Sequence, residues 1–532
     1  MTKARAYDAI VIGGGHNGLI NGAYLAKAGL ETVILERRHI VGGAAITEEL
    51  YPGFQFTTFS YALSHIRPEI VQELELVNYG FMPLLMESTL TPMENGDYLL
   101  LGQDEQENIN EIRRHSKHDA DAFEQFSHDL AMVVQAIRPI LDSIPPDITS
   151  NDPEELMRMA ALGQHVRNLP TRVIHNGVRL LTGSASDFLD DYFDSEILKA
   201  SIASSGTIGS KVGPKSQGSG LVLLYLAVGE HDGNQGAWSF HKGGNGGFTQ
   251  VLARAAEGFG AEIAMEAAVE SVITSNGRAT GVALGDGTEI GGDVVVSSLD
   301  PRRTFLELVE PRELPIDLVD AIERMRFQGI SAKVNFALDG LPVYPALADR
   351  GEDPYRGFIN VGPTVDYLER AFDDAKYGWY SQRPYLDSCI QSIIDRDMAP
   401  PGKHVMSNFV QYTPYELKGS DWDTERENLG DVVQATLEEF FPGFGELVLH
   451  REVVTPLDIE RTTGLTEGNI YAGEFLAPQM LFFRPAPGWN QYRTPIHGYY
   501  QCGSGTHPGG CVMGGPGRLA ATQILGDLKA TE

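Results

Sequence analysis

The sequence predicts an α/β protein in which a discontinuous, doubly wound domain of Rossmann type is threaded through a mixed α+β domain with a helical portion. Three observations predict it: a strand–glycine turn–helix at the amino end, a β-meander near residue 270, and a second strand–glycine turn–helix that closes the chain. A chain of 532 residues also exceeds what one core supports, since single cores stop growing near about 250–300 residues.

Tyr7–Ile12 is a short apolar run rich in β-branched residues, as a buried parallel strand requires. It leads into Gly13-Gly14-Gly15-His16-Asn17-Gly18, a G-x-G-x-x-G at the point where a strand hands over to a helix spanning 17–28, with Gly29 at its end. Gly13 permits the tight turn, Gly15 lets the backbone approach a pyrophosphate, and Gly18 lets helix and strand pack closely. The helix N-terminus adds free N–H groups and a positive dipole end. A second strand, Thr32–Leu35, ends at Glu36, where a carboxylate can accept hydrogen bonds from a ribose. The acid favours NAD or FAD over NADP. Gly42-Gly43 then offer a second close backbone approach to an extended cofactor.

The second piece is the meander. Asn276-Gly277 and Asp286-Gly287 are type I′ turn signals between Val269–Thr274, Ala279–Leu284 and Thr288–Ile290, and Asp293–Val296 reads as a separate strand returning to the main sheet. Before it, the glycine-dense 236–247 leads into a helix over Phe248–Phe259. The third piece is Tyr499–Thr522, in which a strand over Gly498–Cys502 enters a glycine turn and a helix leaves near Pro516. The N-terminal end of such a helix stabilises nearby negative charge. Helical patterns dominate 105–230, for example Asp119–Ile137 and Asp152–Leu162. Residues 305–455 mix strands (Ala332–Leu338, His404–Tyr412) with a helix over Asp431–Phe440. The expected organisation is three cofactor-domain pieces (1–75, 236–304, 456–532) alternating with two substrate-domain pieces (76–235, 305–455).

The segment GGGHNGLINGAYLAKAGLETVILERRHIVGGAA resembles the amino terminus of phytoene desaturase-like FAD-dependent oxidoreductases, in particular the branch labelled pyridine nucleotide-disulfide oxidoreductase domain-containing. GSGTHPGGCV near the end is similar to the family's terminal flavin motif, G-x-G-x-H-P-G-G-G-V, with Cys511 in place of a glycine. The resemblance covers nearly the whole chain and implies FAD. It places cofactor contacts at Gly13, Gly15, His16, Asn17 and Gly18, at Glu36 and Arg37, and at Gly42, Gly43, Ala44 and Ala45. It adds Val269, through its backbone, and the terminal turn's Gly503, Ser504, Gly510, Cys511, Val512 and Met513. Cys511 is read as a redox thiol or, more simply, as a small residue tolerated in a tight turn. Phytoene desaturases often carry an arginine after the glycine pair, where this chain has Ala44, so a carotenoid substrate does not follow directly.

Composition narrows the function. Lys+Arg 41 against Asp+Glu 72 gives a net charge of −31, a field that repels nucleic acid and anionic lipid. Cys389, Cys502 and Cys511 are the only cysteines, with no C-x-x-C and no second nucleotide fingerprint, which argues against disulfide-reductase chemistry. No apolar run reaches transmembrane length and no secretory signal is read, so the expectation is a soluble, cytoplasmic protein, with an oligomer possible and no metal. The chemistry expected is hydride transfer from an apolar or neutral, small-to-medium substrate to the flavin, with reoxidation by oxygen, a quinone or a protein. Candidate catalytic groups are His65, Arg67, His241 and His507, His507 more as a support of the flavin turn. The alternatives are an amine oxidase-like enzyme, an isomerase using reduced FAD without net redox change, and a flavin-stabilised interaction protein.

Overall fold

The structure, a computed structural model, describes residues 6–63, 65–231 and 233–531. Ala6–Ile12 is flanked by two parallel partners, with Val11 beside Ile34 of Thr32–Leu35 and beside Val296 of Glu289–Ser297. Helix His16–Lys27 makes the crossover between the first two strands, as parallel pairing demands. The seven-stranded sheet runs Glu262–Ala264, Thr32–Leu35, Ala6–Ile12, Glu289–Ser297, Arg278–Leu284, Val269–Ser275, and Tyr499–Gln501 pairs in parallel with Glu289–Ser297. Stretches near the start, middle and end of the chain thus form one sheet.

The meander differs from its sequence reading in one respect. Thr288–Ile290 and Asp293–Val296 are not two strands but one, Glu289–Ser297. Its first residues pair antiparallel with Arg278–Leu284, while Gly291–Ser297 pair in parallel with Ala6–Ile12. Gly291-Gly292 suggest a break, yet the strand runs through them, and Gly292 serves close packing: a Cβ there would lie 2.7 Å from Ile10 Cδ1. The closing helix Gly515–Thr531 lies against His16–Lys27, where Asn21 Nδ2 donates to Gly517 O at 3.0 Å.

A second seven-stranded sheet runs Val448–Val454, Ser331–Leu338, His404–Gln411, Tyr385–Cys389, Phe358–Val361, Thr89–Pro92, Tyr98–Leu101. Its rear face (Val334, Phe336, Val410, Leu386, Ile359) packs on Leu429, Val433 and Leu437 of helix Trp422–Phe440. That helix starts nine residues earlier than its apolar periodicity suggests, because Asp421 caps it by accepting from Thr424 N at 2.9 Å. The front face carries a different row: register sets Lys333 opposite Phe409, Phe409 opposite Asp387, and Asp387 opposite Asn360. Helices Lys117–Leu141, Thr171–Thr182 and Ser219–Leu226 share a separate core through Phe126, Val133, Leu180 and Leu221. Among the described residues no helix is long and apolar enough to cross a membrane.

The tightest helix–turn contact yields a test. A Cβ on Gly18 would lie 2.0 Å from Gly13 O, so Gly18→Ala must push the first helix off the turn. The expected cost is ~1–3 kcal/mol, read as a lower Tm in thermal denaturation.

Candidate functional site

The amino-terminal turn forms an open cradle. Gly13 N donates to Leu35 O at 2.8 Å, the chain passes Gly13 at φ +94°, and helix His16–Lys27 starts with no side chain capping its first N–H groups. A Cβ on Gly15 would touch nothing within 4 Å. The second glycine pair backs onto this turn: Gly42 N donates to Gly14 O at 2.8 Å, and a Cβ on Gly43 would come 3.3 Å from Gly15 Cα. Glu36 is buried, its carboxylate held by Gly14 N and Arg38 N, each at 2.9 Å.

The carboxy-terminal turn closes the other side. Asn17 Nδ2 donates to Ser504 Oγ at 3.2 Å, joining the two fingerprints. Behind them lies Arg484, fully buried, which donates to Ser504 O at 2.9 Å, Tyr471 O at 2.6 Å and Gln479 O at 3.1 Å. Burial lowers its pKa to about 10, so it stays protonated at neutral pH. His16 lines the cradle with Nε2 buried and lacking a hydrogen-bond partner, and burial brings its pKa down to about 4. Open space at Gly15, uncapped N–H groups, a carboxylate at the end of the second strand and an orphaned imidazole nitrogen together fit an adenine dinucleotide.

The cradle is one end of a continuous cavity of 480 Å³, within the range of small-molecule sites. Gly13, Gly15, His16, Asn17, Gly18, Glu36, Gly42, Gly43, Ala44, Ala45, Ser504, Cys511 and Val512 all line it. Its other end is walled by Tyr61, Trp238, Phe358, Phe409, Ile208 and Ile470. Into this aromatic chamber the second sheet presents Lys333, Asp387 and Asn360. Tyr61 Oη donates to Asp387 Oδ2 at 2.5 Å, and the Lys333 ammonium sits 4.1 Å over the Tyr61 ring. Lys333 Nζ also donates to Ser407 Oγ, Ser407 to Asn335 Oδ1 at 3.0 Å, and Asn335 to Glu452 Oε2 at 3.0 Å. Burial is the leading influence on each ionisable member, lowering Lys333 to about 8 and raising Asp387 and Glu452 to about 7.

Of the four expected catalytic groups only His65 lines the cavity. Its Nε2 lies 3.0 Å from Tyr225 O, and burial lowers its pKa to about 4, so it is neutral at physiological pH. Arg67 pairs with Asp142 at 2.6 Å, His241 accepts from Met82 N and donates to Lys242 O, and His507 donates to Ile140 O at 3.1 Å. Arg67, His241 and His507 are not among the lining residues. Neither are Arg37, which donates to Thr462 O at 2.6 Å, Val269, Gly503, Gly510 and Met513. Gly503 and Gly510 serve close packing instead, since Cβ atoms there would meet Ser298 O at 2.5 Å and Tyr471 Cα at 2.8 Å. Cys511 adopts φ +72°, a conformation that glycine holds without strain, and burial pushes its thiol up to about 12. The polar row of Lys333, Asp387 and Asn360 was missed by sequence reasoning. Its signal was Ser331, Lys333 and Asn335 alternating with Ala332, Val334 and Phe336.

Fold and site together define a flavin-dependent oxidoreductase. The profile described as Flavin containing amine oxidoreductase matches residues 18–525, and the chain belongs to that family. It is 41% identical to pyridine nucleotide-disulfide oxidoreductase domain-containing protein 2 of Rattus norvegicus, over 98% of this chain and 94% of that protein. It is 25% identical to a limonene dehydrogenase component from Castellaniella defragrans, over 99% of this chain and 96% of that one. Putrescine oxidase bound to putrescine shares the fold, with a TM-score of 0.60 at 15% identity, over 99% of this chain and 100% of that chain. The cofactor of the enzyme is FAD.

Two outcomes test the site. Gly15→Ala should fold with an unchanged apoprotein Tm but retain at least about ten-fold less FAD, because the methyl group occupies only the space left for the pyrophosphate; flavin content per chain checks it. All three thiols are free and buried or half-buried, and burial raises each pKa. They therefore stay protonated through pH 9, and iodoacetamide should label the native protein far more slowly at pH 8 than the urea-unfolded chain.

Proposed function

We propose that the enzyme removes a hydride and a neighbouring proton from a largely apolar, small-to-medium substrate of terpenoid or carotenoid type, introducing a C–C double bond. The observation that carries this reading is the single cavity that joins the dinucleotide cradle to the aromatic chamber. FAD, when bound, supplies the hydride acceptor. Gly13, Gly15, the first turn of the following helix and Gly42-Gly43 would hold its pyrophosphate, Glu36 its ribose, and Ser504, Cys511 and Val512 would face its ring system.

The chain's own contribution is orientation and exclusion of water. Tyr61, Trp238, Phe358 and Phe409 present flat apolar surfaces that align a hydrocarbon skeleton. His65, neutral at physiological pH, completes the wall with its ring stacked on Tyr225 at 5.5 Å between centroids. A relative named for limonene dehydrogenation supports the substrate class. Because the cavity holds one dinucleotide cradle, reoxidation falls to oxygen, a quinone or a protein acceptor.

Anaerobic addition of terpene hydrocarbons, terpene alcohols, a polyene and primary amines to the holoenzyme tests the reading. The expected outcome is bleaching of the flavin bands by a terpenoid or the polyene, with a product two hydrogens lighter. Bleaching by amines alone, with release of an aldehyde, would replace it with amine oxidation.

A further inference from the structure

The front face of the second sheet is buried yet polar. Side chains in one strand row point the same way, so Lys333, Phe409, Asp387 and Asn360, which register places in a single row, face the cavity together. Burying a carboxylate and an ammonium is costly unless their hydrogen-bonding capacity is used. Here part of it is not. Tyr61 satisfies Asp387 Oδ2, while Asp387 Oδ1 is buried with no partner, on a side chain only 8% exposed. Lys333, 1% exposed, gives one donor to Ser407 and lays its charge over the Tyr61 ring, and an ammonium has three donors. An acceptor and a donor without protein partners thus lie on two residues that line an otherwise aromatic chamber.

From this geometry we infer that the Lys333–Asp387 row is a head-group site that binds a neutral group able both to donate and to accept, a hydroxyl, on an otherwise apolar substrate. The hydroxyl hydrogen goes to Asp387 Oδ1 and its oxygen accepts from Lys333 Nζ. Charge selects against the ionic alternatives. An alkylammonium would gain Asp387 but meet the Lys333 ammonium, and a carboxylate would gain Lys333 but meet Asp387. The pair cancels its own charge, so a head group with no net charge disturbs it least. A hydrocarbon lacking the hydroxyl leaves both groups unsatisfied, which is the circumstance in which polar sites discriminate most strongly. This inference rests on the proposed reading only in taking the cavity as the substrate site, and it concerns binding, not which bond is oxidised.

The test uses the FAD-loaded enzyme and four ten-carbon probes: geraniol, its hydrocarbon counterpart myrcene, geranylamine and geranic acid. Binding is read at pH 7.5 from the perturbation of the flavin absorption spectrum, without requiring turnover. Geraniol is expected to bind at least about ten-fold more tightly than each of the other three, as loss of one hydrogen bond to a charged group implies. Asp387→Leu, which leaves only the Lys333 donor, should cut the preference for geraniol over myrcene by about ten-fold while leaving myrcene binding equal or tighter. Asp387→Asn, which keeps an acceptor for Tyr61 but turns the free oxygen into a donor, should reduce the preference and guards against a folding defect in the leucine variant. FAD content and Tm are measured for each. Equal binding of geraniol and myrcene, tightest binding of geranylamine or geranic acid, a preference left undiminished by both substitutions, or no saturable binding of any probe would each overturn the inference. If geraniol binds as expected but no terpenoid ever bleaches the flavin, the head-group site stands and the desaturation reading falls.

Discussion

Everything in this molecule depends on three chain segments, hundreds of residues apart, ending side by side. Ala6–Ile12, Glu289–Ser297 and Tyr499–Gln501 are adjacent parallel strands, and their ends converge through contacts that admit almost no side chain. Ser298 Oγ shares its one hydrogen between Ile12 O and Gly13 O, each at 2.9 Å, while Gly503 sits so close that a Cβ would lie 2.5 Å from Ser298 O. This convergence aims two helix N-termini, those of His16–Lys27 and Gly515–Thr531, at one region. Positive dipole ends from both ends of the chain thereby flank the same cradle. The cofactor site is a consequence of strand register, and loss of register at any of the three strands would dismantle it.

The second sheet is built on the opposite economy. Its rear face is a conventional apolar core against helix Trp422–Phe440, but its front face substitutes a cavity for solvent. Lys333 and Asp387 are therefore buried as residues although they line a space large enough to admit a ligand, and Ser407 and Asn335 back Lys333 through hydrogen bonds. The Tyr61 hydroxyl and ring link the pair to the loop that also carries His65. The amino-terminal piece thus contributes to both ends of the cavity, the cradle through its glycines and the chamber through Tyr61.

Much of this was legible in the sequence. The strand–turn–helix of residues 7–28 and the acid at Glu36 carry their chemistry in local spacing, so the cradle could be read residue by residue. The meander turns were equally local, and only Gly291-Gly292 misled, since glycines that permit a turn also permit close packing of two strands. The catalytic candidates were harder. His241 and His507 stand in suggestive glycine-rich contexts, yet their ring nitrogens hold backbone groups, a use that depends on segments such as Met82 and Ile140 that sequence cannot place beside them. The polar row stayed hidden for the same reason. Alternation of Ser331, Lys333 and Asn335 reads as a strand with one wet face, and only the assembled cavity converts that face into the floor of a site.

One joined cavity with a glycine-lined cradle at one end is the feature on which function rests. Its most direct measurement is the absorption spectrum and flavin stoichiometry of the purified protein, followed by release of the flavin on denaturation. The expected result is flavin bands, about one FAD per chain, and free FAD in the supernatant after acid treatment. A protein that carries no flavin and takes up none on reconstitution with FAD would contradict it.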